Sequence, residues 1–168
     1  MTEEANYPIR KKNRLSGWDY SSHGIYFITI CTHQHKQTLC QIVGDGFPVP
    51  KPAWSTAEYY IQQLPVKYPN VEVQKYVIMP NHVHLLIFLK KADTNHADSP
   101  TISNVIAWYK YQVTKKINES FGTTANRFFQ RSFHDHIVRN EKDYQRIWEY
   151  IENNPMRWKE DCFFNTDV

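Results

Sequence analysis

The sequence contains few cysteines and no long apolar run. Its three cysteines, Cys31, Cys40 and Cys162, lie far apart and form no Cys-x-x-Cys pair, which argues against a disulfide framework and a thiolate zinc site. No apolar stretch approaches the roughly 20 residues of a membrane helix, and residues 1–6 lack the charge and apolar stretch of a signal peptide. We therefore expect a cytoplasmic protein with reduced cysteines.

Aromatic and hydrophobic residues, in contrast, are frequent. Of the 168 residues, 41% are hydrophobic and 15% are aromatic, which is enough apolar material for one core. We expect a single domain over residues 1–168, with a basic arm at 1–20. The net charge is only +3, but the basic residues cluster among aromatic ones, a pattern typical of nucleic-acid surfaces.

The first half of the chain reads mainly as β-strands. Residues 24–32 are β-branched and aromatic throughout, which predicts a central strand, and 39–43 is a candidate hairpin partner for it. Residues 44–54 are rich in glycine and proline and predict a loop, and the capping pattern at 55–58 predicts a helix that ends at Pro65. A hairpin follows, with strands 71–78 and 82–89.

The second half reads mainly as helices. We expect 90–99 to be a mobile loop, and a long helix follows it with one apolar face formed by Ile102, Val105, Ile106, Tyr109, Val113 and Ile117. Residues 127–138 have room for a short strand, and Asn140 then caps a last helix that ends before Pro155. This order predicts an α+β fold with a single antiparallel or mixed sheet and helices on one face.

Pairs of histidines separated by one residue occur three times, at 33/35, 82/84 and 134/136. The first pair fits a solvated loop, and the third fits either a surface site that contacts phosphate or a structural role. Only His82 and His84 begin an apolar strand, where both side chains point to one face. They are either hydrogen-bonded core histidines or half of a metal site that needs another ligand from elsewhere in the fold.

The last helix offers one candidate for that ligand. Tyr150 and Asn154 are four residues apart, so they lie on one helix face about one turn from each other. On spacing alone, the simpler interpretation is that Tyr150 packs the helix and that Asn154 caps it before Pro155.

Three blocks of the sequence together resemble the HUH single-tyrosine transposases, in particular the REP-associated tyrosine transposases of bacteria. They are PNHVHLL at 80–86, IVRNE at 137–141 and YIENNP at 150–155, and the likeness runs from Tyr26 to Trp158. The resemblance implies a ferredoxin-like fold with helices mainly on one face of the sheet. It also implies a transposase-like enzyme that cuts and joins single-stranded, hairpin-containing DNA through a 5′-phosphotyrosine intermediate.

The resemblance assigns roles to four residues. His82 and His84 become ligands of Mg or Mn, Tyr150 becomes the nucleophile, and Asn154 becomes the third ligand. Insertion-sequence members usually carry Gln at the last position, and Asn is one methylene shorter. The neighbouring Asn153 lies about 100° round the helix and is a weaker substitute. The expected DNA-binding residues are basic: Arg10, Lys11, Lys12, Arg14, Lys110, Lys115, Lys116, Arg131 and Arg139.

Two other functions agree with the same residues. One is a non-catalytic module of the same fold that binds hairpin DNA or RNA as a regulator. The other is a replication-type nickase, which usually adds a helicase domain or a second tyrosine. A homodimer and a location at the nucleoid are further expectations, and the sequence leaves the DNA recognition site open.

Overall fold

The computed structural model of this protein describes residues 23–91, 100–124 and 126–165. The predicted arm at 1–20 and most of the predicted loop at 90–99 lie outside these residues. In chain order the elements are β1 (Gly24–Cys31), β2 (Cys40–Val43), β3 (Phe47–Pro50), α1 (Pro52–Gln62), α2 (Leu64–Lys67), β4 (Val71–Ile78), β5 (His82–Leu89), α3 (Ile102–Ser120), β6 (His134–Val138) and α4 (Glu141–Asn153).

Four of the strands form the main sheet, in the order β4-β5-β1-β6. Every neighbouring pair is antiparallel, and β1 is paired along both edges, with β5 on one side and β6 on the other. Without the small β2–β3 sheet, the chain order is β-α-β-β-α-β, which is the ferredoxin-like arrangement. The predicted α+β fold with an antiparallel sheet is confirmed.

Alternation along β5 divides the interior into two layers. Val83, Leu85 and Ile87 belong to the larger core, which α1, α2 and α3 cover. Leu86 points to the opposite face, where it packs against Ile147 and Ile151 of α4. Most helices therefore lie on one face as expected, whereas α4 lies alone on the other, and His82 and His84 share the face of Leu86.

The two long helices follow their sequence patterns closely. All six residues of the predicted α3 stripe are buried, and Asn140 caps α4 by accepting a hydrogen bond from the backbone N–H of Asp143 at 2.9 Å. Within the described residues, no helix combines the length and apolarity needed to cross a membrane.

Three local expectations are wrong. Residues 39–43 do not pair with the first strand, because both edges of β1 are occupied; β2 pairs instead with β3, inside the predicted loop at 44–54. Prolines 48 and 50 are tolerated there because β3 is an edge strand. The helix predicted from Ser55 begins at Pro52, a residue suited to a first helical turn. Pro65 likewise lies in the first turn of α2 rather than ending a helix, and α1 ends earlier, at Gln62.

Leu85→Ala should destabilise the fold substantially. Leu85 is completely buried in the main core, and truncation of such a residue leaves a cavity that costs about 2–5 kcal/mol. Val66→Ala is the control, because Val66 is 72% exposed and its loss should change stability by less than about 0.5 kcal/mol. Urea denaturation measures both, and equal effects of the two substitutions would contradict the described core.

Candidate active site

His82 and His84 meet at the start of β5. Both side chains are buried, with exposed fractions of 0% and 1%, and the Nε2 atoms of the two rings lie 3.0 Å apart. Their position follows from the strand alternation that turns both rings toward α4. The two histidines therefore form one cluster rather than two separate core residues.

The other nitrogen of each ring has a protein partner. The Nδ1 atom of His82 lies 2.8 Å from the side-chain oxygen of Asn81, and that amide is oriented by donating to the carbonyl of Phe163 at 2.8 Å. Because an amide oxygen only accepts, His82 Nδ1 carries the proton, which leaves a lone pair on Nε2. The Nδ1 atom of His84 lies 2.8 Å from the hydroxyl of Thr29. Such contacts orient histidines that bind metals.

Burial keeps both imidazoles neutral. It lowers the pKa of His82 to about 4 and the pKa of His84 well below its usual value of 6.5, because the charged form loses its hydration in this environment. At neutral pH the pair therefore presents two uncharged nitrogen donors, which is the form that a metal ion requires.

The last helix brings Tyr150 and Asn154 to this pair. The hydroxyl of Tyr150 lies 3.4 Å from Nε2 of His84, and the two rings are 5.3 Å apart between centroids. Asn154 is 2% exposed, and its side-chain oxygen is buried with no hydrogen-bond partner in the part of the chain that the structure describes. An unpartnered buried carbonyl costs about 1–3 kcal/mol, so this oxygen is suited to a cation. Asn153 instead donates to the carbonyl of Glu149.

Asp161 joins the cluster from the segment that follows α4. Its Oδ2 accepts from the hydroxyl of Tyr150 at 3.1 Å and from the amide of Asn154 at 2.7 Å. Ligand atoms of Asp161, His82 and His84 all lie within 4.8 Å of one another. This residue was not predicted from the sequence. Asp161 lies seven positions beyond Asn154, where no helix or strand pattern indicates the direction of its side chain.

The donor set fits a divalent cation. Neighbouring ligands of a six-coordinate ion, each about 2.1 Å from it, are about 3.0 Å apart, which is the separation of the two Nε2 atoms. The unpartnered oxygen of Asn154 and the carboxylate of Asp161 add oxygen donors of the kind that Mg²⁺ and Mn²⁺ prefer. The carboxylate also adds a negative charge that the predicted set of two imidazoles and an amide lacks.

A cleft of about 390 Å³ opens beside these residues. Tyr150, Asn154 and Asp161 line it together with charged side chains of both signs, namely Arg146, Arg157, Glu149 and Glu160. Tyr150 is 40% exposed, whereas the two histidines lie behind it under the ring of Phe163, whose centroid is 4.8 Å from that of His82. The cleft is therefore the open side of the cluster, and it makes Tyr150 accessible from solvent.

The predicted DNA-binding residues occupy different parts of the molecule. Lys110 donates to the carbonyls of Arg131 and Ser132, and burial lowers its pKa to about 8. This places Lys110 and Arg131 near the end of the sheet that carries the histidines, because the neighbouring Gln130 donates to the carbonyl of Cys31. Lys115 and Lys116 are exposed on α3, and the predicted basic arm lies outside the described residues.

Arg139 lies toward the opposite end of the sheet. It follows Val138, which pairs with Ile25, whereas His84 pairs with Thr29 four residues further along β1. Four residues of strand span about 13 Å, so Arg139 is well separated from the cluster along the sheet. It stays a prediction for contact with a more distant part of the DNA.

The remaining histidine pairs have other surroundings. His35 is half-buried rather than solvated, because its ring stacks on Phe163 at 5.9 Å and its Nε2 lies 2.9 Å from the amide of Gln130. His134 and His136 are exposed on the edge strand β6, where His136 contacts Asp143 at 2.6 Å.

Stability should fall when the pH drops below about 6.5. The folded protein holds His82 and His84 with depressed pKa values, so the unfolded chain binds more protons and is stabilised relative to the folded protein as the pH falls. The free energy of unfolding should therefore decrease between pH 7 and pH 5. Urea denaturation in EDTA measures it. His82→Gln should weaken the dependence of the free energy of unfolding on pH, whereas His134→Gln, at an exposed histidine, should leave it unchanged. An equal pH dependence in wild type and both variants would contradict the depressed pKa of His82.

This chain is similar to proteins of one known family. The family described as "Transposase IS200 like" matches residues 55–154, a range that includes His82, His84, Tyr150 and Asn154. An uncharacterized protein of Haemophilus influenzae is 30% identical over 98% of this chain and 99% of its own length. Another protein of that organism, named a REP-associated tyrosine transposase, is 27% identical over 83% of this chain and 74% of its own length.

A solved structure shares the fold. It is described as a REP-associated tyrosine transposase bound to a REP hairpin, and it matches with a TM-score of 0.56 at 21% identity over 94% of this chain and 74% of that one. The resemblance noted in the sequence is thereby confirmed. Since the family match spans well over half of the 168 residues, the chain belongs to the family of IS200-like transposases.

Proposed function

We propose that this protein is a metal-dependent endonuclease and strand transferase that acts on single-stranded DNA, with Tyr150 as its nucleophile. The observation that carries the proposal is the contact between the Tyr150 hydroxyl and Nε2 of His84 at 3.4 Å. Tyr150 also lines the open cleft and is 40% exposed, so a hydroxyl nucleophile beside two neutral imidazoles is accessible to a substrate.

His82 and His84 would hold Mg or Mn, with Asn154 as third ligand and the Asp161 carboxylate within reach of the same position. A divalent ion there would polarise a nonbridging phosphate oxygen and offset the charge that develops in the transition state. The surrounding protein prepares the two imidazoles for metal binding. Asn81 and Thr29 orient them, and burial keeps them uncharged.

Tyr150 performs the covalent step. Its Oη attacks phosphorus, the bond from phosphorus to the 3′ oxygen breaks, and the products are a 5′-phosphotyrosine and a 3′ hydroxyl that has taken up a proton. Attack of another 3′ hydroxyl on the phosphotyrosine reverses these bond changes and joins two strands. The energy of the original phosphodiester is retained in the tyrosyl ester, so joining needs no external source.

The phenol must lose its proton during attack. Burial, and next the nearby Asp161, raise the pKa of Tyr150 above its usual value of 10, so the free protein holds it as a neutral phenol at physiological pH. The hydrogen bond from Tyr150 to Asp161 gives the departing proton a direct acceptor. A cation beside the phenol would favour the phenolate further.

The proposed substrate is single-stranded DNA that contains a hairpin, by extension from the relative that is bound to a REP hairpin. The cleft beside Tyr150 carries Arg146 and Arg157 together with two glutamates, and Arg157 is the better candidate for a phosphate contact because Arg146 pairs with Asp143 at 2.6 Å. Contacts further along the DNA are proposed for Lys110, Lys115, Lys116, Arg131 and Arg139, and for Arg10, Lys11, Lys12 and Arg14 of the arm.

Tyr150→Phe should abolish covalent attachment to DNA. Wild-type protein incubated with labelled hairpin oligonucleotides and Mn²⁺ should give an adduct that survives a denaturing gel, and the variant should give none, because only the attacking oxygen is removed. Tyr111→Phe, at a tyrosine that is 61% exposed on α3, is the matched control and should behave like wild type. If wild type gives no adduct across a broad hairpin pool, or Tyr150→Phe gives as much, Tyr150 is not the nucleophile.

His82→Ala combined with His84→Ala should abolish Mn²⁺ binding. Ligand binding to the folded state raises the melting temperature, so Mn²⁺ should stabilise wild type and leave the double variant unchanged. The control combines His134→Ala with His136→Ala, which removes a pair of the same spacing from the exposed edge strand β6. Stabilisation by Mn²⁺ that survives the first double substitution would return His82 and His84 to the role of core histidines.

A further inference from the structure

The carboxylate of Asp161 contacts both groups that α4 contributes to the site. Its Oδ2 accepts hydrogen bonds from the Tyr150 hydroxyl at 3.1 Å and from the side-chain amide of Asn154 at 2.7 Å. Its Oδ1 accepts from the backbone N–H of Phe163 at 2.7 Å. Both oxygens are therefore engaged, and the backbone contact fixes the direction in which the carboxylate points.

This contact determines how the amide of Asn154 is turned. A carboxylate can only accept, so the amide must present its N–H₂ group to Asp161, which leaves its oxygen on the other side. That oxygen is buried and has no hydrogen-bond partner among the described residues. An amide rotated by 180° would place two oxygens against each other and would put an N–H₂ group, which cannot bind a cation, where the unpartnered oxygen now lies. Asp161 thus favours the one orientation in which Asn154 is a metal ligand.

The same carboxylate restrains the nucleophile. Tyr150 is 40% exposed, so its hydroxyl has solvent available as an alternative partner. The hydrogen bond to Asp161 keeps this hydroxyl within 3.4 Å of Nε2 of His84. Because a carboxylate only accepts hydrogen bonds, Asp161 does not occupy the lone pairs of the phenolic oxygen. Those lone pairs are needed for attack on phosphorus.

We propose that Asp161 is a positioning residue for this site, which fixes the Asn154 oxygen as a metal ligand and holds the Tyr150 hydroxyl beside the ion. This role rests on the proposed function, because it needs a cation between the histidines and α4. It differs from direct ligation by Asp161 in one respect that is measurable: the effect of Asp161 on metal affinity should pass through Asn154.

A double-mutant cycle on Mn²⁺ affinity separates the two roles. Four full-length proteins, namely wild type, Asp161→Asn, Asn154→Ala and the combination, are titrated with Mn²⁺ without DNA, and the free ion is followed by electron paramagnetic resonance. Loss of a partner that orients a metal ligand weakens metal affinity by about 10–100-fold. We expect each single substitution to weaken Mn²⁺ binding by about ten-fold or more. The combined variant should have the same Mn²⁺ affinity as the single variant that binds Mn²⁺ less tightly.

The matched control is Glu119→Gln. Glu119 is an exposed carboxylate on α3, on the face of the sheet opposite α4, so its substitution makes the same change of charge away from the site and should leave Mn²⁺ affinity within about two-fold of wild type. Urea denaturation of each variant verifies that it is folded during the titration.

Three results would overturn the proposal. Wild-type affinity in Asp161→Asn would mean that the carboxylate does not orient the ligand. Losses that multiply in the combined variant would mean that Asp161 acts through its own charge or as a ligand. With labelled hairpin oligonucleotides at saturating Mn²⁺, Asp161→Asn should form less adduct than wild type, and an equal or greater yield would mean that its contact with Tyr150 does not position the nucleophile. A wild-type protein that binds Mn²⁺ but forms no adduct would instead contradict the proposed strand cleavage alone.

Discussion

The antiparallel pairing of β1 with β5 is the constraint on which the site depends. In this register Thr29 lies opposite His84, and Cys31 lies opposite His82. Because side chains alternate between the two faces of the sheet, both imidazoles at the start of β5 point to the face that α4 covers. The same alternation sends Val83 and Leu85 into the main core. A slip of one residue would bury the histidines among α1 and α3 and would turn the core residues toward Tyr150.

Charge is distributed in the cluster in a way that suits a cation. The two imidazoles are neutral because burial depresses their pKa values, and the oxygen of Asn154 has no partner among the described residues. Asp161 supplies the formal negative charge, and its hydrogen bonds to Tyr150 and Asn154 connect the last helix to the segment that follows it. Beyond the carboxylate, the cleft carries two arginines, Arg146 and Arg157, and two glutamates, Glu149 and Glu160.

The sequence predicted those parts of the molecule that periodicity or a local cap determines. The α3 stripe, the β4–β5 hairpin and the Asn140 cap were all readable because each signal lies within a few residues of the element it specifies. The β2–β3 pairing was not readable, since it depends on both edges of β1 being filled by strands distant in sequence. Tyr150 was singled out by its spacing from Asn154, and its predicted role came from the family resemblance. Asp161 was missed because its side chain is placed by tertiary contacts after the last helix.

The central claim is that residues from β5 and α4 complete one metal site beside Tyr150. Diffraction from crystals soaked in Mn²⁺, collected at a wavelength where manganese scatters anomalously, tests it most directly. The account predicts one anomalous peak within bonding distance of Nε2 of His82, Nε2 of His84 and the side-chain oxygen of Asn154. No peak there at millimolar Mn²⁺, with the two imidazoles still hydrogen-bonded to each other, would contradict it.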